Sequence, residues 1–390
     1  PHEPLDVLAQ QLVAICASHE DEDGADEAAL LSLCRGAWPF RKLAEADFYT
    51  VLGLLSDGVA VKRGRPSAHL HWDRVNHRIK GRRGARLQAT QNGGTIPEPN
   101  DFEVVVEGEE VVVGRLDEEF VTESSPGDIF LLGSNAWRLR KVSGNRAYVA
   151  DAAGQAPTVP FWAGEAPGRT FELSQAVSTL REELEQYLRA ADPGTSLLQS
   201  LVESCGMTEN AAEQLLAYLR AGYTALGRLP TQTALVAERF FDEGGGMQLV
   251  LHMPFGARQN RAFGLALRKK FCRAFNFELQ AAATDDGVLL SLGETHSFPL
   301  ETVWEFLKSG NVRHVLTQAV LGAPIFQPHF RHVSTRALTI PRRRGGKKLP
   351  PPIVRVLTED LLGAVFPNAA ACPENLPGGD IEIPDHPLVA

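Results

Sequence analysis

"GDIFLLGSNAWRLRKVSGNRAYVADAAG", residues 127–154, decides how the middle of this chain folds. Apolar and polar side chains alternate along "AWRLRKV", and Gly133 and Gly144 punctuate the run, so short strands joined by tight turns are expected. On such a strand Trp137 and Leu139 share one face, and Arg138 and Arg140 share the other. By that periodicity Trp137 is a core residue and the two arginines meet solvent or phosphate. A strand end or a bulge at "GSN" would re-aim the ring, because bulges concentrate at barrel rims and beside sites. The indole is then a platform for a nucleic-acid base, an interaction worth about 1–3 kcal/mol whichever base is present.

The alternation extends on both sides, through "ARLQAT" and "DFEVVVEGEEVVVGRL", and predicts an antiparallel β-barrel-like module over residues 69–163. Before it, "PLDVLAQQLVAICAS" has Leu5, Leu8, Leu12 and Ile15 at helical spacing. Two more short helices follow in "AALLSLCRGA" and "LAEADFYTVLGLLSDG", the second closing at Gly58. Three helices ahead of the β-favouring "VAVKRG" and "AHLHW" read as a winged-helix domain, residues 1–68. Helical patterning returns over 164–228, where Thr208 caps "ENAAEQLLAYLRAGYTAL". From 229 to 390 strands and helices alternate as an α/β module. "DDG" at 285–287 is a hairpin turn by its chemistry, and "RRRGGKKLPPP" is an exposed basic loop held extended by prolines. The fold class is α+β multidomain.

The chain has 390 residues, 44% of them hydrophobic, enough for two or three domains with sizeable cores. Its longest apolar runs fall far short of the roughly 20 residues of a membrane-spanning helix, no signal segment is evident, and a cytoplasmic protein is expected. Cys16, Cys34, Cys205, Cys272 and Cys372 are odd in number and never in a CxxC pair, which predicts buried reduced thiols rather than disulfides or a zinc knuckle.

A net charge of −9 argues against a uniformly basic nucleic-acid binder, yet the cations are clustered. Lys62–Arg86 holds nine Lys/Arg against one acid, Arg258–Arg273 six and no acid, and Arg331–Lys348 seven and no acid. Three such runs in an acidic chain predict contacts to a phosphate backbone, with solvated helix faces as the bland alternative. The candidate contacts are Lys62, Arg63, Arg65, Arg82 and Arg83 in the first run, and Arg258, Arg261 and Lys269 in the second. Arg342, Arg343, Arg344, Lys347 and Lys348 come from the third, and Arg138 and Arg140 flank Trp137.

Catalytic signatures are absent. "RRRGGKK" lacks the GxxxxGK[ST] spacing that cradles phosphates, and no acidic pair for magnesium accompanies it. His69, His71 and His77 alternate, but no carboxylate or cysteine at ligand spacing completes a metal set. Asp285 and Asp286 are accounted for as turn residues, and Cys272 is expected to pack inward with Phe271 and Phe275.

A resemblance now adds to this reading. "PLDVLAQQLVA", "GGTIP", "GRLDEEFV", "GDIFLLGSNAWRLRKV", "PFWAGEAPGR", the long block from "ERFFDEGGGMQLVLHMPF" to "GETHSFPLE", "RGGKKLPPP" and "GDIEIPDHPL" occur in that order over nearly the whole chain. Together they resemble the part of the Lhr (large helicase-related) family that follows its motor domains: the winged helix and the family-specific fourth domain, with its DEAD/H-associated region. The resemblance implies an ATP-dependent superfamily 2 helicase that translocates 3′-to-5′ on single-stranded DNA and serves DNA repair. It implies that ATP and magnesium belong to two RecA-like motor domains, in cis or in trans. With no Walker A or DExH motif in this sequence, no cofactor and no ATP hydrolysis are expected of it alone. It further implies that the tryptophan matching Trp137 stacks on a base of the tracking strand, and that the partner is single-stranded DNA or an RNA:DNA hybrid, not a membrane. Near "HLHWDR" the family sets an aliphatic side chain against a base, and His71 and Trp72 both stand there. Two other classes remain open: a standalone DNA-modifying enzyme, glycosylase or nuclease, and a scaffold docking a separately encoded motor.

Overall fold

The computed structural model describes residues 3–18, 23–61, 68–96, 101–155, 168–189, 196–241, 245–275, 279–292, 298–323, 325–370 and 380–389. Helix α1 (Leu5–Ser18) buries Leu8 and Leu12, as its spacing predicts, and Val13 besides, while Leu5 and Ile15 are partly buried against the same core. After β1 (Ala25–Asp26), the Asp26 carboxylate accepts the Ala29 N–H at 2.9 Å and opens α2 (Glu27–Arg35). Helix α3 (Glu45–Asp57) ends at Gly58, whose φ of 67° only glycine adopts without strain. Strands β2 (Leu70–Asp73) and β3 (Arg78–Gly81) form the wing, and the sheet runs β1-β3-β2. The winged helix therefore continues past the expected end at residue 68. "ARLQAT" is also not a strand. It begins α4 (Ala85–Asn92), because Ala85, Ala89 and Asn92 recur at helical spacing and pack toward α1, where Gln10 receives the Gly94 N–H at 2.9 Å.

The alternating stretch forms β4 (Phe102–Val106), β5 (Val112–Leu116), β6 (Ile129–Leu132), β7 (Asn135–Ser143) and β8 (Arg146–Asp151), with α5 (Glu118–Glu123) between β5 and β6. These strands curl into a half-barrel in the order β5-β4-β8-β7-β6. It is not wholly antiparallel as expected. The β6-β7-β8 meander returns beside β4 in parallel, pairing Val104 with Ala147.

Helices α6 (Phe171–Arg189), α7 (Ser196–Cys205) and α8 (Glu209–Leu226) pack around Leu184, Leu201, Ala212 and Leu219. Thr208 caps α8, its hydroxyl accepting the Ala211 N–H at 3.3 Å. Strands β9 (Val236–Phe241), β10 (Met247–His252), β11 (Gln280–Ala283) and β12 (Gly287–Leu292) form an antiparallel sheet ordered β11-β12-β10-β9, on which α9 (Ala257–Phe275) buries Leu267 and Phe271. After α10 (Val312–Leu321) and α11 (Phe326–Arg336), "RRRGGKKLPPP" departs from its expected extended form. It makes a hairpin of β13 (Arg343–Arg344) and β14 (Lys347–Lys348), and Pro351 and Pro352 open α12 (Pro351–Val365), where a missing N–H costs nothing.

Contacts group the chain into two compact units, Pro1–Val159 with Leu321–Ala390, and Pro160–Val320. By these contacts the 229–390 stretch is shared between the two units. In the first unit Leu12, Phe48 and Leu55 share one core with Phe330, Leu338, Ile340, Leu361, Phe366 and Leu388. Polar ties add to it. The buried Arg331 guanidinium grips both oxygens of the buried Glu118 carboxylate. Arg336 meets Asp6 at 2.6 Å, and Arg355 donates to the Gly144 carbonyl at 3.1 Å while lying over the Phe102 ring. Cys16 and Cys34 are buried, Cys272 is half-buried, Cys205 is exposed against expectation, and Cys372 lies outside the described residues. Among the described residues no helix is long and apolar enough to cross a membrane.

Candidate nucleic-acid interface

Trp137 lies in β7, two residues after the tight Leu132–Asn135 turn in which Gly133 takes φ 65°. In register it pairs with Phe130 on one side and Asp151 on the other. Phe130 and Leu139, on its face, are fully buried. Trp137 itself is only partly buried, close to the turn at which the β6–β7 pairing ends. Periodicity thus placed it on the face of Phe130 and Leu139, yet the ring stays partly open. "GSN" supplies a turn rather than a bulge. The register slips instead between Leu139 and Lys141, leaving Arg140 as the extra residue, exposed and without an ion-pair partner among the described residues. Arg138 is tied back to the Gln155 side chain. Beyond the slip, Lys141 pairs with Glu107 at 3.1 Å and lies 4.9 Å from the Tyr148 ring centroid.

The third basic run forms an open cationic feature. Arg343, Arg344, Lys347 and Lys348 are all exposed on the β13–β14 hairpin, with Gly345 and Gly346 at its tip in left-handed conformations of φ 58° and 77°. Arg343 sits directly opposite Lys348, and Arg344 opposite Lys347, although like charges in facing positions repel. The base is anchored on the C-terminal end of α4: the Arg343 N–H donates to the Asn92 side-chain oxygen at 2.7 Å, and Arg342 donates to the Gly94 and Ile96 carbonyls at 2.9 and 3.3 Å.

Of the first run, Lys62, Arg63 and Arg65 lie outside the described residues. Arg82 braces the winged helix, donating to the Leu70 and Ser56 carbonyls at 2.7 and 2.9 Å. Arg83 is exposed just before α4. It and the hairpin therefore flank a helix about 12 Å long. In the second run, the face of α9 opposite Leu267 and Phe271 carries Arg258 and Lys269, with Arg261 to one side. That run belongs to the other compact unit.

One exposed aromatic was not read from the sequence as part of a site, and two residues that were read do something else. Trp38, in the turn between α2 and α3, is 75% exposed, with the Arg41 guanidinium 3.7 Å from its ring centroid. The signal for it, an aromatic beside cations in "WPFRK", was present. Trp72 is engaged: its indole N–H donates to Glu27 at 3.0 Å and its ring stacks on Tyr49, leaving His71 as the exposed one of the pair. Burial would raise the Glu27 carboxyl, but the hydrogen bonds from Trp72, Tyr49 and His77 outweigh it and hold the group below the usual carboxylate range. Asp285 does more than turn the chain. Its carboxylate accepts the Ala257 N–H at 2.8 Å and the Arg169 N–H at 2.9 Å, so it caps α9, while Asp286 meets Arg169 and Arg181 at 2.9 and 3.2 Å.

Residues 1–159 match the family described as "Large helicase-related protein, winged helix domain", and residues 229–390 match "DEAD/H associated". The chain belongs to the Lhr family. An Lhr relative from Mycolicibacterium smegmatis, named "Lhr helicase/ probable uracil glycosylase", is 32% identical over 90% of this chain and 23% of its own. The "ATP-dependent helicase Lhr-Core" of Saccharolobus solfataricus is 28% identical over 89% of this chain and 40% of its own. The solved structure of Mycobacterium smegmatis helicase Lhr bound to ssDNA and AMP-PNP superposes with a TM-score of 0.71 at 28% identity, covering 96% of this chain and 42% of that one. This Lhr chain thus spans a quarter to two fifths of the length of these relatives.

Proposed function

We propose that this chain is the non-motor, nucleic-acid-binding portion of an Lhr-type ATP-dependent 3′-to-5′ DNA helicase acting in DNA repair in the cytoplasm. It holds an unpaired strand by phosphate contacts from exposed cations and by a base stacked on Trp137. ATP hydrolysis is assigned to RecA-like motor domains outside this sequence. The observation that carries the reading is the partly exposed indole near the start of β7, with Arg140 three residues on, exposed and without an ion-pair partner among the described residues, in a chain that superposes on an Lhr bound to ssDNA. Stacking accepts any base and phosphate contacts read no sequence, which suits an enzyme that walks along arbitrary strands.

Titration of a labelled single strand at several salt concentrations tests it. Affinity is expected to fall steeply with salt, with a log–log slope of about −0.7 for each phosphate neutralised. Trp137→Ala is expected to weaken binding by about 1–3 kcal/mol, measured where the variant is shown by its melting curve to be fully folded, since the ring is also partly buried. Binding that ignores salt, or a variant that loses stability but not affinity, overturns the reading. Scission of uracil-containing or abasic DNA without ATP would point to a DNA-modifying enzyme instead.

A further inference from the structure

The β13–β14 hairpin is built unlike a surface that lies along one strand. Paired residues of an antiparallel ladder share a face and consecutive ones alternate, so Arg343 and Lys348 project from one face and Arg344 and Lys347 from the other. Both faces of the ribbon are therefore cationic. One phosphate backbone would need only one face. The base is fixed by Arg342 and by the Arg343 N–H on the end of α4, while a side chain added at Gly345 or Gly346 would meet nothing within 4 Å. Among the described residues nothing crowds the tip of the ribbon. Its extended side chains place the cationic heads of the two faces on the order of 12 Å apart, close to the roughly 12 Å width of a major groove, which admits a two-stranded ribbon.

We infer that the Arg343–Lys348 hairpin is a duplex-binding element that enters a groove of double-stranded nucleic acid with one cation pair on each backbone. The ligand of the whole chain is then a partly double-stranded substrate, its unpaired tail on the Trp137 side of the site. This rests on the proposed function for the tail alone; the hairpin's own contact does not need it.

The test compares three DNA probes by fluorescence anisotropy across a salt series: a single strand, the same strand as a 3′ tail on a duplex, and the blunt duplex. The full chain is set against two double variants, Arg343→Ser/Lys348→Ser and Arg344→Ser/Lys347→Ser. All four side chains are exposed, and thermal scans confirm that the variants are folded before affinities are compared. The tailed duplex is expected to bind more than tenfold tighter than the single strand, with a salt slope steeper by about 3.6, or 0.9 for each of four duplex phosphates. Each double variant should remove about half of that extra slope while leaving single-strand affinity within twofold. If either variant weakens single strand and tailed duplex equally, or if only one face matters, the hairpin does not straddle two backbones and the inference falls. Loss of single-strand binding by the intact chain, with duplex slopes as expected, would remove the clamp and leave the hairpin standing. No binding to any probe removes both.

Discussion

At the scale of single residues, charge type does not tell what a cation does. Arg82, Arg331 and Arg342 sit in basic runs yet face carbonyls or a carboxylate within their own unit, whereas Arg140 and Arg344 face outward. Sequence shows where cations cluster; which of them are consumed internally depends on groups hundreds of residues away, such as Glu118 for Arg331. The same packing perturbs His332. Burial first, and then the neighbouring charges of Arg331, His329, Arg336 and Arg342, push its pKa down to about 4. The folded chain therefore keeps the imidazole neutral between pH 6.5 and 4 while the unfolded chain protonates it, so stability present above pH 6.5 is lost as pH falls through that window. Partial burial lowers His69 as well, in the same direction. His332→Gln is expected to flatten part of the acid limb of melting temperature against pH, with little change at pH 8. An unchanged limb would show that the imidazole titrates normally.

At the scale of elements, local chemistry was a good guide wherever a turn or cap is made by neighbours in sequence. Gly58, Thr208 and the Asp285–Gly287 turn each behave as their residue types dictate. "ARLQAT" failed because its small residues fit period two and helical spacing alike, and packing on α1 decided between them. The prolines after Lys348 failed in the other direction: they begin a helix as readily as they extend a chain. Asp285 shows what periodicity leaves out, since its two backbone partners come from the Arg169 region and from the start of α9. Asp285→Ala leaves those N–H groups without their acceptor and should destabilise the second unit by about 0.5–2 kcal/mol, with Asp285→Asn restoring part of it, as read by denaturant melts. Equal stability of the alanine variant would make the aspartate a turn residue and nothing more.

At the scale of the whole molecule, the chain closes its first unit with its last 70 residues, numbers 321–390. Phe330, Leu338, Ile340, Leu361 and Phe366 are buried in the core that α1 and α3 begin, and each is worth about 1.5–3 kcal/mol against a domain stability of about 5–15 kcal/mol. A fragment of residues 1–159 should therefore show no cooperative melting by circular dichroism until residues 321–390 are co-expressed with it. A fragment of residues 160–320, with its own sheet and helical cores, should keep a transition of its own. Cooperative melting of 1–159 alone near the temperature of the full chain would show that the winged-helix core is self-sufficient.

The amino-acid sequence by itself determined the classes of element, the winged-helix order of its first helices, the face on which Trp137 lies and the family to which the chain belongs. These depend on side-chain periodicity, on turn chemistry and on long ordered motifs, all written over short stretches. Tertiary structure alone decided how far Trp137 is uncovered, which of the described arginines stay exposed, that β4 and β8 run parallel, and that 321–390 completes the unit begun at the N-terminus. Each of those turns on a partner remote in sequence, and a one-dimensional pattern carries no record of which distant surface will exclude the water.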